Sequence, residues 1–240
     1  MRNLSLIILL FLSFSLYSQD GFQAIYQKKI NPNLDYNSLN KKQLGYIKLI
    51  SKNIGKFGYS LEIDLKSRTS RFLSNYEMST DGQARIDRQV LNILNSKYPI
   101  YTNIKKDSIY ELSNHPLLES EILTRFPINS YNWKLVDSTK TINGYKCKLA
   151  KGSFSQENVF TENSNKIDFF AWYSPELPSQ YGPALFTGLP GLILIAGYDM
   201  FIFEIKELKQ KKIDFEFPKN ESITEDELIL KMKSIMNSKN

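Results

Sequence analysis

Apolar and polar positions alternate most clearly over Tyr59–Leu65. Tyr59, Leu61, Ile63 and Leu65 fall on one side, and Ser60, Glu62 and Asp64 on the other. A period of two marks a strand with one buried face. A turn at Lys66-Ser67 brings the chain back through Thr69 to Leu73, which predicts a hairpin with one wet face. Phe22–Gln27 predicts an earlier strand, broken at Asn31-Pro32-Asn33. Short apolar-aromatic runs follow around Ile100, Tyr101, Ile109, Tyr110, Ile122 and Phe126. Trp133, Leu135 and Asp137 alternate with Lys134 and Val136. Asn143-Gly144 is a strong two-residue hairpin signal. Beyond it Tyr145, Cys147 and Leu149 share a face opposite Lys146 and Lys148. Ile167–Tyr173 reads as another strand. Ala196-Gly197-Tyr198-Asp199 reads as a turn, and Phe201, Phe203 and Ile205 then alternate with Glu204 and Lys206.

Three stretches carry helical spacing. Tyr36, Leu39, Ile47, Ile50 and Ile54 share a face, with Gly55 as the stop. After a turn at Asp81-Gly82, Ile86, Val90, Leu91 and Leu94 suggest a short helix or an insertion within 81–97. Near the end, Thr224 and Glu227 form a capping box, and Leu228, Met232, Ile235 and Met236 make an amphipathic closing helix. Together these patterns predict a mainly β (α+β) protein. A curved antiparallel sheet with one or two packing helices would bury the alternating face and keep the lysines wet.

The most distinctive stretch is Gly182–Leu194. Pro190 pre-sets φ near −65°, as the second position of a β-turn requires. Gly191 follows where a type II turn needs φ > 0. Leu192–Ala196 is then apolar on both faces, like a strand covered on both sides. The hexapeptide Gly188-Leu189-Pro190-Gly191-Leu192-Ile193 resembles the signature of the GLPGLI family of secreted Bacteroidetes-type proteins. Trp133-Lys134-Leu135, Ile142–Cys147, Ala171–Ser174 and Gly182-Pro183 extend the resemblance over residues 98 to 209. The chain departs from that pattern at Ala184, where an aromatic residue usually follows Gly-Pro. The resemblance implies a secreted protein and brings no biochemical role with it. At the level of fold alone, the predicted sheet is similar to those of periplasmic lipoprotein carriers.

Residues 1–18 read as an export signal. Arg2 supplies a positive start, Leu4–Leu16 an apolar run too short to span a membrane, and Ser18 a small residue before Gln19. Residues 19–240 then form a single domain of the GLPGLI type with a C-terminal helix, exported to the periplasm or beyond, with no transmembrane segment in the mature chain. The formal net charge is +6 in 240 residues, and the lysines are spread along the chain. A solvated surface explains them, and no nucleic-acid partner is expected. Aromatic residues make up 13% of the sequence, which favours strands.

Candidate chemistry is sparse. His115 is the single histidine and precedes Pro116 in a turn-like stretch; a zinc site of the usual histidine-rich kind is not expected. Cys147 is the single cysteine and sits on an alternating strand, which suits a buried, inert thiol. Glu225, Asp226 and Glu227 complement the dipole of the closing helix. No phosphate-binding loop, cofactor or metal is expected, and no nucleophile–base constellation is visible, so the chain reads as a non-enzyme. Trp172, Tyr173 and Pro175, with Pro178, lead toward Gly182, Pro183, Gly188, Leu189, Pro190 and Gly191. Such a cluster could line a groove for an apolar ligand or an extended protein segment. The sequence therefore predicts a non-catalytic binding protein for an apolar ligand or protein segment. The alternative is a structural or envelope-assembly accessory acting through protein–protein contacts.

Overall fold

The structure, a computed structural model, describes residues 20–76, 82–94, 98–114, 118, 120–157, 164–198 and 200–238. The expected export signal, its cleavage point at Gln19, His115 and Asp81 lie outside the described residues. The first strand, β1 (Gly21–Ile30), runs three residues beyond the predicted stretch. The expected long helix is divided. A 3-10 turn at Tyr36–Ser38 comes first, then α1 (Lys41–Ser51), then a second 3-10 turn at Ile54–Lys56. The division falls at Asn40, whose side chain caps α1 while Gln43 reaches back to the Asn40 backbone. This capping box starts a helix where the apolar spacing alone suggested continuity.

The predicted hairpin is β2 (Gly58–Asp64) and β3 (Thr69–Ser74), closed by a turn with Arg68 in the left-handed region. Its outer face is not simply wet. Ser60 is buried and bonded by Gln23, and Glu62 pairs with Arg71 at 2.6 Å. Leu65 is exposed in the turn instead of continuing the buried row. The helix or insertion expected within 81–97 is α2 (Gly82–Ile93), which buries Val90 and Leu91. There follow β4 (Ile100–Asn103), β5 (Ser108–Asn114), β6 (Glu121–Pro127) and β7 (Lys134–Ile142). Asn143 and Gly144 both take positive φ, the mark of a type I′ turn, and lead into β8 (Tyr145–Glu157). β9 (Ser164–Ser174), β10 (Leu192–Tyr198) and β11 (Phe201–Gln210) complete the second half. Of the turn expected at 196–199, Ala196, Gly197 and Tyr198 belong to β10 instead, and Asp199 lies outside the described residues. β12 (Ser222–Thr224) and the capped α3 (Glu225–Ser238) close the chain, with Glu227 bonded to Thr224 as predicted.

All twelve strands form one open sheet, ordered β12-β6-β5-β4-β3-β2-β1-β11-β10-β9-β8-β7. Every pairing is antiparallel except β12 with β6, which is parallel; the sheet is therefore mixed at one edge, not wholly antiparallel. It is strongly curved. Phe72 on β3 and Phe154 on β8 stand six places apart in the sheet order, about 28 Å if the sheet were flat, yet they line the same cavity. The main core fills the concave side, where Ile47 and Ile50 of α1 and Val90 of α2 meet Tyr26, Tyr59, Leu61 and Phe203. A smaller cluster lies on the convex side. There Phe215 and Phe217, from the segment after β11, pack on Tyr101 and Tyr110.

Candidate functional site

β9 and β10 are joined by a compact loop, residues 175–191, whose ends meet because Ser174 pairs with Leu192. The loop is bound by its own backbone. The Gln180 N–H donates to the Leu189 carbonyl at 2.8 Å, and the Ile193 N–H donates to the Tyr181 carbonyl at 3.0 Å. The Thr187 hydroxyl bonds to the Gln180 carbonyl. Trp133, just before β7, donates its indole N–H to the Thr187 carbonyl at 2.8 Å and stacks edge-on to Phe169. Phe186 joins Tyr131, Phe154 and Phe169 in one aromatic cluster.

The Leu-Pro-Gly turn differs from the type II turn expected. The Gly191 N–H bonds to the Leu189 carbonyl at 2.8 Å, a three-residue γ-turn centred on Pro190, and proline's fixed φ selects its inverse form. Gly191 does not take a positive φ; Gly188 does, at +86°. What Gly191 provides is space. A Cβ there would lie 2.5 Å from the Ser174 carbonyl carbon and 2.9 Å from the Pro175 nitrogen, with the Ser174 oxygen nearer still. Ala184 also takes a positive φ, +52°, an uncommon conformation for an alanine.

The residues singled out by sequence divide into layers. Tyr173, Gly182, Pro183 and Leu189 are buried, Trp172 and Gly188 are half-buried, and Pro175 and Pro190 are exposed. Trp172 faces away from Tyr173, and the Lys140 ammonium sits 4.2 Å from its ring centroid. These residues form the frame of the loop. Between Pro183 and Thr187, the loop presents Ala184, Leu185 and Phe186 to a cavity of about 120 Å³ on the concave side. Its opposite walls come from β2, β3 and β11 through Tyr59, Phe72 and Phe203.

Polar side chains that the apolar pattern does not pick out line this cavity, among them Lys28, Glu111 and Tyr131. Lys28 extends the buried row Ala24, Tyr26 of β1 and is only 3% exposed. Its Nζ donates to the Leu94 carbonyl at 2.5 Å and lies 4.8 Å and 5.4 Å from the ring centroids of Phe203 and Phe201. Burial drives its pKa down to about 7. Glu111 is held above the usual carboxylate range, chiefly by burial and then by the charge of Glu225. Burial also pushes up the Tyr131 phenol, with smaller contributions from Glu111 and Glu225. The signal was present in the sequence: Lys28 is in phase with Ala24 and Tyr26, and Glu111 with Ile109. Charged residues in phase with a buried row are the informative exceptions to the pattern.

Cys147 is fully buried, its Sγ donates to the Tyr145 carbonyl at 3.4 Å, and burial raises its thiol pKa. It has no place in the cavity lining. Among the described residues no helix is long and apolar enough to cross a membrane.

Residues 151–195, which include the end of β8, β9, the loop and the start of β10, match the model of a family described as "Protein of unknown function (Porph_ging)". No curated protein matches the chain. Among solved structures, PNGF-II in a C2 crystal form is similar over 90% of this chain, with a TM-score of 0.53 and 15% identity. The chain spans about a third, 32%, of PNGF-II. An uncharacterised conserved protein from Thermus thermophilus has a TM-score of 0.33 at 7% identity, over 86% of this chain and 91% of that one. The Mycobacterium tuberculosis lipoprotein LppX has a TM-score of 0.30 at 9% identity, over 86% of this chain and 93% of that one. At these identities the likeness to PNGF-II concerns the fold.

Proposed function

We propose that the protein is a non-catalytic binding protein and that the cavity beneath residues 184–186 holds a small apolar ligand. The observation that carries this reading is the cavity itself, a space of about 120 Å³ on the concave side of the sheet, walled by Tyr59, Phe72, Phe154, Phe186 and Phe203. Protein interiors are otherwise close-packed, and a void of this kind forfeits the dispersion contacts of its lining. A cavity near this size is large enough for a single six-membered ring. The loop supports the reading. Its backbone bonds hold it at the cavity, and it places Ala184 in the left-handed region at the wall. Among the described residues the cavity's titratable side chains contain no nucleophile paired with a base. The match at residues 151–195 covers this loop, and the GLPGLI-type motifs fall on it and on the strands beside it. Export by residues 1–18 belongs to the same proposal.

The test is binding of benzyl alcohol, followed by calorimetry and by the shift in melting temperature. A ligand at about a hundred times its Kd stabilises the native state by about 2.7 kcal/mol. Leu185→Trp, which puts a larger ring at the wall, should keep the fold and abolish the shift. A folded parent protein that binds no small apolar probe refutes the proposal.

A further inference from the structure

Resting on that reading, we infer that the ligand is a compact apolar acid, its carboxylate seated on Lys28 and its hydrophobic body among Tyr59, Phe72 and Phe186. Lys28 is the reason. An ammonium has three N–H donors, and among the described residues only one is used, on the Leu94 carbonyl. The rings of Phe201 and Phe203 give it a favourable face, but among the described residues no carboxylate lies within ion-pairing distance. A cation that is only 3% exposed with no counter-ion among the described residues is costly, and an anionic ligand arriving at the cavity would supply a partner. Burial lowers the Lys28 pKa for the same reason, and a bound carboxylate would reverse that shift.

Glu111 on the same lining narrows the choice of head group. Its carboxyl has no described ion-pair partner and is held toward the protonated form by burial and by Glu225. Protonated, it can donate a hydrogen bond to a carboxylate; ionised, it repels a second negative charge. The cavity therefore suits a monoanion better than a doubly charged phosphate ester. Its volume of about 120 Å³ favours a body the size of one ring or a short branched chain over a long acyl tail.

Three probes of one shape separate the possibilities: benzoate, benzyl alcohol and benzylamine, titrated calorimetrically into the protein at about pH 6, below the Lys28 pKa. The titratable groups facing the head group are Lys28, Glu111, Tyr131, Tyr98, Tyr59 and Tyr198. Benzoate should bind at least about tenfold more tightly than benzyl alcohol, and benzylamine most weakly. Lys28→Met, its fold confirmed by circular dichroism, should lose the preference for benzoate and retain benzyl alcohol. Benzyl alcohol binding with benzoate no tighter overturns the acid while leaving the cavity as a binding site. Benzylamine binding most tightly overturns it in favour of Glu111 as the selecting group. Failure of all three probes refutes the acid and the binding role together. If Lys28→Met does not fold, the ranking of the three probes on the parent protein decides.

Discussion

Gly191 offers a sharp test of what the Leu-Pro-Gly turn requires. With no positive φ, glycine is not needed there for its dihedral angles. A Cβ at 191 would come within 2.5 Å of the Ser174 carbonyl carbon and 2.9 Å of the Pro175 nitrogen. These are backbone atoms at the end of β9, so they cannot swing aside as a side chain would. Ser174 also pairs with Leu192, and relief of the clash would pull that first rung of β9 and β10 apart. Overpacking of this kind costs about 1–3 kcal/mol, and rigid obstacles place it near the upper end. A loss of about 3 kcal/mol corresponds to a fall of about 6–12 °C in melting temperature for a domain of this size. Because the first carbon does the damage, Gly191→Ala, Gly191→Asn and Gly191→Val should all fall in this range. Gly188 is the contrast. Its φ is +86° and its nearest neighbour is the Ile128 side chain at 3.1 Å, so Gly188→Asn should be milder than Gly188→Ala. Urea and thermal melts of the five variants decide the matter. Gly191→Ala within about 0.5 kcal/mol of the parent, an ordinary surface value, would refute the argument from space.

Three further outcomes are expected. Lys28 has a folded-state pKa of about 7 against its ordinary 10.5, so between these values the unfolded chain binds more protons and stability rises with pH. Lys28→Met should therefore stabilise the ligand-free protein by a few kcal/mol at about pH 6, on the order expected for a buried lysine, and by little near pH 10.5; parallel urea midpoints for parent and variant across that range would contradict it. Cys147 is fully buried, so a thiol reagent should label it only on unfolding, and Cys147→Ala should cost about 1 kcal/mol; rapid labelling of the native protein counts against this. The Tyr26 hydroxyl donates to the Ile193 carbonyl at 2.6 Å across the intervening strand β11, and Tyr26→Phe should cost about 1 kcal/mol in urea melts, an unchanged midpoint being the contrary result.

Local periodicity made the strands and helices legible, because each is a short-range consequence of alternation or capping. The β2–β3 hairpin, the Asn143-Gly144 turn and the Thr224–Glu227 cap all sit where the residues predict them. Non-local partners are a different matter. Nothing in the residues of β12 says that it runs parallel to β6, and nothing in Gly197 says that its lack of a side chain admits Ile202, whose Cα would lie 2.7 Å from a Cβ there, so a glycine inside a strand carries the local signal of a turn. The cavity was not legible in the sequence. None of the residues singled out around the glycine-proline stretch lines it; the loop reaches it through Ala184, Leu185 and Phe186, and the remaining walls come from β1, β2, β3, β4, β5, β8, β10 and β11 and from Leu94, Tyr98 and Tyr131, brought together by the curvature of the sheet. The apolar pattern of the first strand ends at Gln27, one residue before Lys28, the charge in the buried row.

The place of β1 governs how the molecule can be assembled. It lies between β2 and β11, and its pair Phe22↔Gln210 joins positions near opposite ends of the described chain. On one side are strands β2 to β6, on the other β7 to β11, each a run of neighbours in sequence. Within each half, neighbouring strands are also neighbours in sequence, but the seam between them closes only when residues 201–210 arrive, at the entropic cost of a very long loop. The segment after β11 then crosses back over the first half, setting Phe215 and Phe217 on Tyr101 and Tyr110, and β12 adds to β6. A nascent chain that stops short of residue 201 is left with β1 as a bare margin, its N–H and C=O groups open to recruitment by any other extended chain. Synthesis from the N-terminus therefore leaves this strand's free edge unpaired until most of the sequence has been made.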